Sequence, residues 1–297
     1  MEKVRIKAGH MEINYGDAHF RRSDGGHTLQ NPFVENNIVD AFATEVAGEF
    51  YNMDRGFTGM IGLSNGLING GHEKPLVTPT GTETYSRNPS IYAKLAYDNA
   101  IASDVRLRVS GSVYHNNSDG RSTLYAGDRT GSNYFFAMEP AGAAAATNFT
   151  TGRFNPSFTN QITTGQFNAF LKASGFELFG TFETGKGRTI AEKAADQDKR
   201  GFNQIAADAL YRFGANENAY IGVKYNTVKG ALLSGSQDKQ SIDRIAAAAG
   251  WFITKNILLK GEYVNQNYKD FPGTHANFGH LDGGKFHGVV FSASVGF

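Results

Sequence analysis

The sequence contains no cysteine, one tryptophan and seven prolines among 297 residues. Without thiols there is no disulfide, no thiolate metal site and no cysteine nucleophile. Neither sign of charge is in excess. The formal net charge is +1, so no strong field points to nucleic acid or to an acidic partner. Long hydrophobic runs are also missing: no stretch approaches the ~20 apolar residues a spanning helix needs. Mean hydropathy is −0.38, which excludes a bundle of membrane helices. The opening residues, MEKVRIKAGHMEINYG, have no apolar core and do not read as a signal peptide. An exported protein is then expected to have lost its signal, or the chain is part of a longer one. What is abundant is glycine (36), phenylalanine (23) and tyrosine (13), a mix that favours strands with tight bends over helices.

Two-residue alternation recurs along the whole chain. It predicts strands at 3–16, 45–55, 57–69, 89–101, 103–116, 161–174, 175–186, 201–214, 217–229, 239–254, 256–268 and 284–297. Each is about 10–15 residues, long enough at ~3.3 Å per residue and a tilt near ~40° to cross a bilayer's apolar band. Strands in soluble sheets are usually only ~5–6 residues. The connections alternate in length. Short turns are expected at 53–56, 101–104, 173–176, 214–218 and 254–257, and long loops at 17–44, 70–88, 117–160, 187–200, 230–238 and 269–283. Short at one end and long at the other is the pattern of an up-and-down transmembrane barrel.

Charge keeps to one parity. In 103–116, Arg106, Arg108, Ser110 and Ser112 share a face, and Val105, Leu107, Val109 and Val113 share the other. In 175–186, Glu177 and Glu183 oppose Phe176, Leu178 and Phe182; in 256–268, Lys260 and Glu262 oppose Leu259 and Tyr263. A soluble sandwich also alternates, because its outer faces are wet, but it explains neither the strand lengths nor the asymmetric loops. Two alanine-rich stretches, 189–213 and 240–253, have helical propensity. They are read mostly as strand, because Ile205, Ala207, Ala209, Tyr211 and Phe213 keep one parity, as do Ile245, Ala247, Ala249, Trp251 and Ile253. In 3–16 the parity slips between Lys7 and Glu12, and a bulge near Gly9 would restore it. The tract 141–149 reads as low-complexity loop.

The chain ends HGVVFSASVGF, with Val289, Phe291, Ala293, Val295 and Phe297 two apart. No amphipathic helix is left to cover such faces, so lipid is the simplest outer partner, and closure removes edges that lipid cannot satisfy. Here the sequence resembles the Gram-negative outer-membrane β-barrel proteins, whose last strand ends in an aromatic residue read by the barrel-assembly machinery. Phe291, Val295 and Phe297 carry that signature. The wider pattern is porin-like, and the stretch GDAHFRRSDGGHTLQNPFVENNIVD is similar to porins of the Bacteroidota type. The resemblance implies an all-β, closed, antiparallel up-and-down barrel in the outer membrane. About 12 strands are visible, as one barrel domain over 1–297 or as part of a 16-stranded barrel. Implied partners are outer-membrane lipid and lipopolysaccharide, the assembly machinery, and a second copy or another membrane protein.

The function expected is passive diffusion of small polar solutes, with a mild anion or sugar bias. Pore-lining candidates are Arg21 and Arg22 in the first long loop, then Lys94, Arg106, Arg108, Lys172, Glu177, Glu183, Arg212, Lys224, Arg244, Lys260 and Glu262. Rings of charge set selectivity in channels. Inward positions also include Arg5, Lys7, Glu12, Glu45, Glu49, Asp98 and Asp208, a near balance of sign. Lys94, Arg106, Arg108 and Lys172 lie on adjacent strands, as a basic ladder for anions or as partners of cross-strand carboxylates. In the first loop, Asp17, Arg21 and Asp24 either line the lumen or pair with one another, and Asn31, Pro32 and Phe33 suggest a fixed turn. The alternative function is a non-conducting barrel that serves as a scaffold, with the tract 138–147 as a contact. An enzyme is not expected. Ser64-Asn65-Gly66 is similar to the catalytic segment of the outer-membrane phospholipase, but Gly62 stands where that family has histidine, and a serine without a base is not activated. No histidine spacing suits a metal, and no cofactor motif is legible.

Overall fold

Each stretch of alternation forms a strand in the computed structural model, which describes residues 3–17, 28–68, 73–78, 81–126, 138–139, 142, 144, 152–274 and 279–296. The strands are β1 (Val4–Glu12), β2 (Thr44–Asp54), β3 (Phe57–Ser64), β4 (Glu73–Thr78), β5 (Gly81–Ser86), β6 (Ser90–Ala102) and β7 (Val105–Asn116). They continue as β8 (Gln161–Ala173), β9 (Phe176–Arg188), β10 (Arg200–Phe213), β11 (Ala219–Gly230), β12 (Gln240–Thr254), β13 (Ile257–Lys269) and β14 (Lys285–Val295). One 12-stranded antiparallel sheet runs β1-β2-β3-β6-β7-β8-β9-β10-β11-β12-β13-β14, every neighbour the next strand along the chain apart from the β4-β5 pair. A single meander of this kind excludes the sandwich.

The short turns fall where expected. Arg55 and Gly56 both have positive φ (47° and 88°), as do Ser174 and Gly175 (47° and 82°). Two central residues of that hand make a type I′ turn, whose twist matches the strands it joins. The alanine-rich stretches divide: Ile190–Ala194 is a helical turn, α1, capped by Thr189 and Glu192, while Arg200–Phe213 and Gln240–Thr254 are strands.

The two faces are inverted relative to a soluble protein. Ile6, Leu95, Phe176, Ile221, Ile245, Trp251 and Phe291 lie exposed on the outside, while Glu45, Glu49, Lys94, Glu183, Arg244, Lys260 and Glu262 are buried within. Soluble monomers rarely expose contiguous apolar patches beyond a few hundred Å², and here such residues recur on strand after strand.

Several expectations are corrected. The ladder from β1 to β2 pairs Val4 with Asn52 through Glu12 with Thr44 without interruption, so no bulge occurs at Gly9. Lys7 therefore opposes inward Glu49, and Glu12 opposes Thr44 on the other parity. β1 ends at Glu12 rather than 16, and β3 at Ser64 rather than 69, and the expected loop 70–88 holds the separate hairpin β4-β5. The closed barrel is not completed by hydrogen bonds: β1 and β14 stand at the two ends of the sheet order. Phe297 and most of the tracts 138–147 and 141–149 lie outside the described residues.

Candidate functional site

After β1 the chain turns inward, and its backbone there has no ladder to join. A buried N–H or C=O must still be paired, and inward side chains of the sheet supply the partners. Asn14 N donates to Glu49 Oε1 at 2.9 Å, Gly16 N to Ser112 Oγ at 2.8 Å and Asp17 N to Gln166 Oε1 at 3.0 Å. Further on, residues 28–43 cross to the opposite wall. Val34 N and Glu35 N donate to Glu262 Oε2 at 2.5 and 2.9 Å. Ile38 N donates to Asn226 Oδ1 at 2.6 Å, and Val39 N to Gln204 Oε1 at 2.8 Å. Lys260 Nζ donates to Asn31 O at 3.0 Å and Phe33 O at 2.9 Å, and Arg244 Nη1 to Asn36 O at 2.9 Å. The expected turn is present: Asn31 Oδ1 accepts from Phe33 N at 3.1 Å. Partners drawn from β2 through β13 on one segment mean that the sheet curls around it.

Lys224, Arg244, Lys260 and Glu262 thus hold the segment. Lys224 Nζ also lies 4.3 Å from the centre of the Phe33 ring. The gap left between the segment and Gln166, Asp208 and Lys224 measures about 30 Å³, room for about two waters. Glu183 is enclosed as well. Its Oε1 accepts from Tyr15 OH at 3.0 Å and Tyr125 OH at 2.9 Å, and its Oε2 from Gln166 Nε2 at 3.0 Å. Around these lies an aromatic cluster including Tyr92, Tyr114, Phe154, Phe158 and Phe202.

The basic ladder is paired rather than free. Lys94 Nζ donates to Gly16 O and to Asn14 Oδ1, both at 2.5 Å. Arg108 grips Asp17 through Nε and Nη2 at 2.5 Å and reaches Asp98 at 2.8 Å. Arg106 makes a two-bond contact with Asp98 at 2.8 and 2.7 Å. Lys172 bonds Glu217, and Arg212 Nε donates to Glu177 Oε1 at 2.7 Å. Burial pushes the Asp17 carboxyl up, but Arg108 and Lys94 outweigh it and hold the group below the usual carboxylate range. Asp17 therefore pairs across the interior; the other expected loop residues, Arg21, Arg22 and Asp24, lie outside the described residues.

The pairs are unequally exposed. The Lys7 side chain is 45% exposed against 0% for Glu49, Lys172 31% against 6% for Glu177, and Arg108 21% against 3% for Asp17. Arg106 is 50% exposed and Asp98 25%. Two pairs run the other way: Glu217 is 40% exposed against 31% for Lys172, and Asp98 25% against 21% for Arg108. Water on the inner face therefore meets more cationic than anionic surface.

Sequence reasoning missed the tyrosines that solvate buried carboxylates, and the amides Gln204 and Asn226. Their inward parity was legible, but their partner, a loop far away in sequence, was not. Ser64, in the Ser-Asn-Gly segment, commits its hydroxyl to Glu45 and accepts from Gly66 N. Among the described residues no cluster of His, Asp and Glu is arranged to hold a metal.

No protein-family model matches the sequence, and no curated protein matches it. Solved structures do. The anion-selective porin from Comamonas acidovorans is 12% identical, with a TM-score of 0.50 over 86% of this chain and 60% of that one. OmpT of Vibrio cholerae is 10% identical, with a TM-score of 0.48 over 99% of this chain and 76% of that one. OccK2 of Pseudomonas aeruginosa is 12% identical, with a TM-score of 0.43 over 99% and 78%. The chain spans only 60% of the length of the first. At such identities what is shared is the fold, and the fold is porin-like: an outer-membrane type of antiparallel β-barrel sheet.

Proposed function

We propose that the chain forms wall and constriction of a diffusion channel in the outer membrane of a Gram-negative bacterium. It passes small polar solutes with a mild preference for anions and performs no chemistry on them. The observation that carries this reading is the unequal exposure of the inner ion pairs. Arg106, Arg108 and Lys172 reach water while Asp17 and Glu177 are buried. A narrow passage feels the charge nearest the solute, because separation and dielectric set the Coulomb energy. Residues 28–43, held against the inner wall, narrow the passage. The anion-selective character of the Comamonas porin supports the same sign. Conductance of the purified protein in a planar bilayer under a salt gradient tests the reading. Stable ohmic steps with a reversal potential on the anion side are expected. Inserted but silent protein would defeat it.

One observation favours a second reading, a non-conducting scaffold. The cluster of Tyr15, Tyr92, Tyr114, Tyr125, Phe154 and Phe202 fills the long-loop end of the interior. The same recording distinguishes the two.

A further inference from the structure

Four lysines gather on the outside of the sheet, where the channel has no use for them. Lys186 of β9, Lys229 of β11, and Lys199 and Lys239 of the adjoining loops line one open recess of about 250 Å³, with Thr184 and Asn203. All four lysines are exposed. No carboxylate lines the recess, and among the described residues none of the four makes an ion pair. This differs from the inner face, where each described base of the ladder has an acid or a carbonyl. It differs also from the neighbouring Lys269, whose ammonium sits 2.7 Å from Asp243. Gly201 pairs with Lys186, and a Cβ there would come within 3.3 Å of the Lys186 Cγ, so the glycine leaves the lysine stem room to lie across β10.

The register places this recess against the apolar band. Asn203 is opposite both Thr184 and Lys229. Two residues along β10, Ile205 is opposite Phe182 and Thr227. At ~3.3 Å per residue, Lys229 stands about 7 Å and Lys186, opposite Gly201, about 13 Å beyond the exposed Phe182 and Ile205, toward the long loops. Apolar surface below and unpaired ammonium groups above match an amphiphile with acyl chains and a phosphorylated head. The volume is many times the ~10–15 Å³ that admits one water, enough for a phosphate group.

We infer that this recess is a docking site for the phosphate of an anionic lipid of the outer leaflet, a phosphorylated glycolipid, whose chains lie along β9–β11. The inference rests on the proposed membrane insertion. Lipid in place of soluble anion follows from the position: the recess opens beside the apolar band and not into the solute path.

The test is native mass spectrometry of the full chain, folded in neutral detergent, with lipid A in its bisphosphoryl and dephosphorylated forms. A bound bisphosphoryl lipid is expected, weakened about fivefold per lysine removed, so about 25-fold for K186Q/K229Q. K255Q, at the short-turn end, is the control and is expected to bind normally. Three results would overturn the inference: equal retention of the dephosphorylated lipid, equal binding by K186Q/K229Q and K255Q, or displacement by millimolar inorganic pyrophosphate without loss from apolar competitors. Insertion of wild type and both variants into neutral vesicles, read by protease protection, separates the two claims. Insertion without phosphate-dependent binding sinks the lipid site alone, whereas failure of the wild type to insert sinks both.

Discussion

Arg200 is among the largest fully buried side chains. Its guanidinium meets Glu192 at 2.6 and 3.2 Å and donates to Ala231 O and Leu232 O at 2.9 and 3.0 Å. It thereby ties α1 to the loop after β11. Burial pushes the Glu192 carboxyl up, but Arg200 and the Thr189 backbone prevail and hold it below its ordinary value. A depressed folded value gives stability that is present above the unfolded carboxylate range and lost as pH falls through the folded value. Removing one partner of a buried pair costs about 3–5 kcal/mol. Arg200→Ala is therefore expected to lower resistance to denaturant by that order, and Arg200→Ala/Glu192→Ala to recover part of it; equal midpoints for wild type and single variant in a urea titration would contradict this. At the inner mouth, Arg106→Gln with Lys172→Gln is expected to move the reversal potential toward the cation side. An unchanged potential would mean that these exposed bases do not set selectivity.

At the scale of elements, residues 28–43 are held by side chains rather than by a ladder, so single substitutions should release them. Lys260 binds three carbonyls, those of Thr28, Asn31 and Phe33. Lys260→Met keeps the bulk and loses the bonds. It is expected to raise conductance and noise in single-channel records, and a quiet record of unchanged size would refute the latch. Glu35 adds a pH dependence. Burial raises its carboxyl to about 7, opposed by Arg244, Arg153 and Lys224 and reinforced by Glu262. A raised folded value favours the docked segment most below the unfolded carboxylate range, and the benefit is lost as pH rises through about 7. The ceiling is roughly 3 kcal/mol. Conductance is thus expected to be smaller at pH 5 than at pH 8, with the difference absent in Glu35→Gln.

For the whole molecule, the outer face demands lipid and the edges demand partners. Unpaired backbone is not tolerated against hydrocarbon, and β1 and β14 do not pair with each other. The porin from Comamonas is longer than this chain, which covers 60% of it. In vesicles, the amides of β1 and β14 are expected to exchange as slowly as those of β8 and β9. Fast exchange confined to the two edges would show that the isolated sheet stays open.

Much of this was legible beforehand because a strand's pleat repeats every two residues. That local rule sorted Arg106 and Arg108 from Leu107 and Val109, and marked the turns at Arg55-Gly56 and Ser174-Gly175. It determined strand order too, since each short turn forces its neighbours to pair. It failed at Glu12, where an assumed bulge replaced an unbroken ladder, and it could not say where the loop after β1 would lie. Ile38 meets Asn226 across 188 positions of sequence, a distance no periodicity spans. Only the tertiary structure decided which charges stay wet. Glu49 and Lys7 have the same parity and opposite charge, yet one is buried by Asn14, Tyr51 and Tyr92 while the other faces water. Sequence alone determined the faces, because facing is local; the electrostatics of the passage came from folding, because burial is a property of distant neighbours.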